Sequence, residues 1–359
     1  MTLFHLRPEA FGELERPCVE HGELTASLFR YPTGIEAIRL SNARGDLVVL
    51  PYLGQMIWSA RFDGVDLAMS SMFAAPRRAR TIVETYGCFA FHSGLLRNGV
   101  PGPDDDHAPH GEMPCAPMDA AGIEAGEDAE GAFLRVTGAY EYLMGFGSHY
   151  VARPSVTLRA GQALFDMAMH VENLSASPMD LMYMCHANFA YAQGAEILQE
   201  APFDREATRV RSAVPRHVRP NADYLAFIDE LAADPSRSRV LDAGDRYDPE
   251  QVFYIENLAT DAQGRTRAML LRQDGDAFFM RYKPSELPKT VRWILKGGDQ
   301  SVAGFALPST CEPEGYIAEQ AKGNVRRLAG GEAASFTVRL GHLDAVEASA
   351  ELVHFAPWR

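Results

Sequence analysis

Short stretches in which every second residue is hydrophobic, each closed by Gly, Asn, Asp or Pro, recur along most of this chain. Residues 35–40, 46–50, 56–62, 133–136, 155–158 and 163–171 have this character, and residues 251–258, 268–271, 278–282, 290–295 and 334–340 repeat it. Alternation of this kind sends successive side chains to opposite faces of a strand, so one face packs while the other meets water or a second layer. Helical spacing is sparse. Its clearest case is residues 222–233, where Tyr224, Leu225, Ile228 and Leu231 recur at helix intervals before the breaker Asp234-Pro235. Many strands, few helices and no βαβ rhythm predict an all-β fold, a large antiparallel β-sandwich of two facing sheets. Residues 26–359 read as a single sandwich domain and residues 1–25 as an N-terminal appendage.

A 359-residue chain with 47% hydrophobic content can bury a large core. No run reaches the roughly 18 apolar residues of a membrane helix, and the N-terminus lacks the basic start and apolar run of a secretory signal, so a cytoplasmic protein without membrane association is expected. Cys18, Cys88, Cys115, Cys185 and Cys311 follow no paired spacing, which predicts reduced thiols and neither a disulfide framework nor a zinc finger. A net charge of −14 opposes nucleic-acid binding, which needs clustered Lys and Arg to release counterions. A neutral small molecule is the default ligand, although a local pocket around Arg97, Arg281 and Lys283 can still be positive. An exposed edge strand is enough to pair two subunits, so a homodimer is compatible with the pattern.

Candidate functional residues gather where the alternation lapses. The loop Gly94-Leu95-Leu96-Arg97-Asn98-Gly99-Val100-Pro101, running on to His107-Ala108-Pro109-His110-Gly111-Glu112, displays an arginine, two histidines and a carboxylate among glycines and prolines. His186 ends an apolar stretch, Met182-Tyr183-Met184-Cys185, with Asn188 two residues on, and Glu312 and Glu314 flank a proline near the C-terminus. Together these form a candidate acid–base site. A lone histidine among apolar residues is otherwise more often a core residue bonded to backbone.

Several of these stretches resemble the aldose 1-epimerase (galactose mutarotase) superfamily, within it a divergent branch catalogued as a domain of unknown function. The resemblance runs from about residue 35 to the C-terminus. It is carried by Val48-Val49-Leu50-Pro51-Tyr52-Leu53-Gly54-Gln55-Met56-Ile57, by Pro109-His110-Gly111, and above all by Val171-Glu172-Asn173-Leu174 followed by His186, which is similar to the paired strands bearing the family's catalytic histidine. Where relatives place a Gly-x-Glu-Pro segment supplying the base, this chain reads Gly304-Phe305-Ala306-Leu307-Pro308-Ser309-Thr310-Cys311-Glu312-Pro313-Glu314-Gly315. Glu312-Pro313 arrives several residues late: either the loop is re-registered so that Glu312 or Glu314 reaches the pocket, or the chemistry has departed from ordinary mutarotation.

The resemblance implies anomer interconversion of a monosaccharide or derivative without a cofactor. One group takes a proton from the anomeric hydroxyl while another delivers one to the ring oxygen. His186 is expected as the acid, since imidazole exchanges protons near neutrality, and Glu312 as the base. His110 and Arg97 then bind the opening ring, with Asn188, Glu314, Tyr254, Glu256 and Lys283 contacting hydroxyls and Trp293 giving an aromatic platform. Two alternatives stay open: a metal-dependent sugar isomerase using His107, His110, Glu112 and His186, and a sugar-binding protein without catalysis.

Overall fold

The computed structural model of the chain describes residues 1–214 and 219–359. Its strands form two antiparallel sheets. The first, of nine strands, runs in the order Thr2–Leu6, Ala120–Asp128, Gly131–Leu143, His149–Arg159, Leu164–Asn173, Ala333–Leu343, Ala277–Tyr282, Thr266–Leu271 and Glu196–Gln199. The second follows the path Thr208–Val210, Gln251–Ile255, Lys289–Lys296, Ser301–Ser309, Met179–Ala187, Ala90–Leu95, Met56–Phe62, Gly45–Leu50, Glu36–Asn42, Leu24–Arg30 and Arg16–His21. Each alternating stretch of the sequence coincides with one of these strands, as the all-β reading expected, although 251–258 overruns its strand, which ends at Ile255.

Inward-facing residues of both sheets make the main core, where Tyr183 of the second sheet stacks on Phe336 of the first with ring centroids 4.7 Å apart. Flat stacking lets two large rings fill the interlayer without voids, which matters because each unfilled cavity weakens a core. Residues 1–25, set apart in the sequence as an appendage, supply the edge strands Thr2–Leu6 and Arg16–His21, one to each sheet.

The segment holding Asn173 and His186 departs from expectation. Leu164–Asn173 pairs with His149–Arg159 and Ala333–Leu343, whereas Met179–Ala187 belongs to the other sheet. The chain crosses between layers here, and buried Asn173 anchors the crossing by donating from Nδ2 to the carbonyls of Ser177 (2.9 Å) and Leu328 (3.0 Å). An apolar residue would leave those carbonyls unpaired.

Helix Ala222–Ala233 forms where the spacing placed it, capped by the Asn221 side chain accepting from the Tyr224 N–H at 2.8 Å. Its buried face is Tyr224, Phe227, Ile228 and Leu231; Leu225 faces outward. Helices Tyr316–Ala321 and Ala345–Phe355 complete the α content of the described residues, the latter opened by a capping box between Asp344 and Glu347. All five cysteines are free, and among the described residues no helix is long and apolar enough to cross a membrane.

Candidate active site

Alternation along the central strands of the second sheet determines which side chains reach the site. On Met179–Ala187, Leu181, Tyr183, Cys185 and Ala187 enter the main core, so Met184 and His186 stand on the outer face. Neighbouring strands present Val252, Tyr254, Val291 and Leu307 to the same side, forming with Met184 a second, smaller apolar layer against which Trp293 packs. Loops cover this layer and leave a cavity of about 860 Å³ lined by Tyr86, His110, His186, Glu250 and Trp293 among others.

His186, 3% exposed, lies between rings. Phe91, its register partner on Ala90–Leu95, stacks on it at 4.5 Å, and the His110 ring meets it edge to face at 4.9 Å. The Tyr86 hydroxyl lies 3.3 Å from His186 Nε2, while Trp293 approaches within 5.6 Å and donates from its indole N–H to Glu250 at 2.7 Å. Burial pulls the His186 pKa well below its ordinary value, charge on His110 adds to that, and the Asn188 side chain opposes it. Burial pushes the Tyr86 hydroxyl up, helped by Cys88 and Glu250. The resting site therefore holds a neutral imidazole and a protonated phenol.

His110 is held by its backbone. Its N–H donates to Gly99 at 2.8 Å, its carbonyl accepts from the Gly94 N–H at 2.9 Å, and Ser93 Oγ lies 3.1 Å from Nδ1. Both His110 (φ 62°) and Gly111 (φ 78°) are left-handed, and a Cβ on Gly111 would stand 2.0 Å from the Arg97 carbonyl. Only glycine fits there, and this tight turn aims the histidine into the cavity.

Other expected residues have different places. Glu312 is not on the cavity wall: its side chain, 4% exposed, is paired with Arg209 and with Lys322 (2.7 Å). Burial raises its pKa, but those two cations outweigh burial and hold it below the usual carboxylate range. Glu314 accepts from the Tyr254 hydroxyl and from Arg211 (2.8 Å), so Tyr254 and Glu314 brace Arg211, which itself lines the cavity. Glu256 pairs with Arg209 at 3.3 Å, and Lys283, beyond a strand of the opposite sheet, pairs with Glu286 at 3.3 Å. Asn188 is fully buried behind His186, donating to the Cys88 carbonyl at 2.9 Å.

Arg97 lies over the Tyr316 ring at 3.7 Å and lines a separate hollow with His107 and Glu112. The Glu112 carboxylate accepts from the N–H groups of Leu95 (2.9 Å) and Leu96 (2.7 Å) and from the Tyr150 hydroxyl (2.9 Å), so it closes a loop. His107 bonds the neighbouring Ala108 carbonyl at 2.9 Å. Among the described residues no three His, Cys, Asp or Glu side chains gather in a metal-binding arrangement, which removes the geometric basis for the His107, His110, Glu112 and His186 set.

The sequence reading missed Tyr86 and Glu250. Tyr86 sits in a loop without periodicity. Glu250 was legible, because the phase that turns Val252 and Tyr254 outward continues two residues back to it.

The architecture is similar to solved structures of one class. A candidate aldose 1-epimerase from Klebsiella pneumoniae aligns at TM-score 0.79 and 15% identity, covering 99% of this chain and 95% of that one. A galactose mutarotase-like protein from Clostridium acetobutylicum aligns at TM-score 0.57 and 13% identity (90% and 99% covered). A candidate aldose 1-epimerase from Escherichia coli K12 gives 0.55 and 14% (86% and 99% covered). The protein thus has the galactose mutarotase-like fold. No curated protein matches it. Within that fold, residues 32–341 match the domain of unknown function DUF4432, and the chain belongs to that family.

Proposed function

We propose that this protein is a sugar isomerase of the aldose 1-epimerase kind, opening and reclosing the ring of a reducing sugar by acid–base catalysis without a metal. The observation that carries this reading is the perpendicular pair of imidazoles, His110 and His186, 4.9 Å apart on the wall of one cavity beside an indole. Burial, and charge on His110 after it, disfavour charge on His186, so His186 is the neutral member of the pair and the base. His110, half-buried and perpendicular to it, takes the part of the acid. This reverses the sequence-based role of His186. Its Nε2 takes the proton from the anomeric O1–H, His110 delivers one to the ring oxygen, and the C1–O5 bond breaks to the open aldehyde. Rotation about C1–C2 and reclosure with both transfers reversed gives the other anomer.

Glu250 replaces Glu312 as the carboxylate at the sugar. Held by the Trp293 indole, it accepts a sugar hydroxyl and balances the imidazolium. Trp293 offers a ring face to the apolar side of the sugar. A cytoplasmic setting accords with five unpaired thiols.

Anomer exchange followed by NMR over a panel of aldoses tests the reading. The expected result is saturable acceleration of at least one sugar, with a bell-shaped pH dependence that loses one limb in His110→Ala and the other in His186→Ala. Rates equal to buffer for every sugar would sink it.

A further inference from the structure

Among the described residues, the cavity around the histidines is larger and more apolar than a bare sugar ring calls for. Among the described residues, its lining carries polar groups on His110, His186, Arg211, Arg219, Glu250 and Gln300 and on the Tyr86 and Trp293 rings, eight of 21; the other 13 are aliphatic residues, Phe, Met or Pro. A free hexose carries hydroxyls around its rim, and a site for it alone needs convergent donors and acceptors, because a buried hydroxyl without a partner is penalised. One aromatic platform is enough for the sugar's apolar face, and Trp293 already provides it. Yet Met184, Val252, Val291 and Leu307 continue as one apolar floor. The apolar surface also runs outward: Met72 and Val83 line the same cavity while remaining 66% and 55% exposed. A volume of about 860 Å³ suits a ligand considerably bigger than one ring.

We infer that the substrate is a reducing sugar bearing an uncharged aliphatic or aromatic substituent away from the anomeric carbon, with that substituent lying along the apolar wall toward Met72 and Val83. This deepens the sugar-isomerase reading and rests on it. The substituent is not on O1, because ring opening removes a proton from a free anomeric hydroxyl and breaks C1–O5, which a glycosidic link would forbid. Arg211, Arg219 and Gln300 remain to meet the ring hydroxyls, while the apolar wall sets affinity through buried area.

Calorimetry on the full chain, with D-glucose and D-galactose each compared to its 6-O-benzyl derivative, tests the inference by binding alone. The benzyl sugar of at least one pair is expected to bind about 10- to 100-fold tighter than its parent. In the surface variant Met72→Gln/Val83→Glu that advantage falls by about fivefold or more, with parent-sugar affinity unchanged. Equal affinities, no binding by either member of both pairs, or an advantage untouched by the double variant would each overturn the inference. Anomer exchange is read separately. Tight benzyl-dependent binding with exchange at the buffer rate defeats the reaction and leaves the apolar subsite standing; exchange of the parent sugars without benzyl preference does the reverse.

Discussion

His92 and His186 stand on adjacent paired strands, one residue out of register, and have much in common. Each is buried, each meets a tyrosine hydroxyl (Tyr183 at 2.9 Å from His92 Nδ1, Tyr86 at 3.3 Å from His186 Nε2), and burial depresses the pKa of both, His92 to about 3. They differ in the side of the sheet. His92 and Tyr183 close the main core; His186 opens on the cavity. A perturbed pKa marks burial as readily as catalysis, and only an adjoining space for a ligand separates the two.

That contrast is most exposed to single substitutions at the two histidines. His186→Ala should lower the kcat/KM of anomer exchange by about 10³-fold and change stability little, since its ring borders space. His92→Ala should leave exchange per folded molecule intact but lose about 2–4 kcal/mol in urea denaturation, through an unfilled core site and an orphaned Tyr183 hydroxyl. Interchanged outcomes would break the division of labour between the faces.

The carboxylates give the next largest effect. Glu250→Gln should lower kcat/KM by about 10- to 100-fold. Glu312→Gln should leave kcat/KM within about twofold and lose about 1–3 kcal/mol in the same denaturation experiment, because Arg209 and Lys322 lose their shared partner. A loss of exchange in Glu312→Gln would return it to the site.

Acid sharpens the comparison thermodynamically. Unfolded histidine binds a proton near pH 6.5, but buried His92 and His186 resist it, so their contribution is fully present above that value and lost as pH falls toward the folded pKa. The slope is about 1.4 kcal/mol per pH unit for each. Denaturation at pH 6.5, 6.0 and 5.5 should show it, with His92→Asn flattening the curve. The smallest effect belongs to Tyr86→Phe, about 3- to 10-fold in kcat with a shifted acidic limb, because only one hydrogen bond to Nε2 is removed.

Much of the fold was legible because alternation is a local property that the sheets preserve. Helix Ala222–Ala233 was found with one residue of its buried face wrong, Leu225 in place of Phe227, since two candidate phases fit so short an amphipathic stretch. Helix Ala345–Phe355 was missed although Asp344 and Glu347 spell a capping box; its first turn lacks an apolar stripe. His110, His186 and Trp293 were read onto a shared site and do line one cavity. Glu312 was misplaced because its fate depends on Arg209 and Lys322, and no local pattern announces an ion pair between distant segments.

His186 and Trp293 stand on strands, whereas His110, Tyr86 and Glu250 come from the segments between strands, as do Met72, Val83, Val100 and Pro109 on the same cavity. The sheet thereby supplies one fixed imidazole and the indole, and the connecting segments bring the remaining reactive groups to them. Randomising only Met72 and Val83, at the exposed rim, should yield a family of folded proteins with one shared chemistry and many different appetites, a natural starting point for directed evolution.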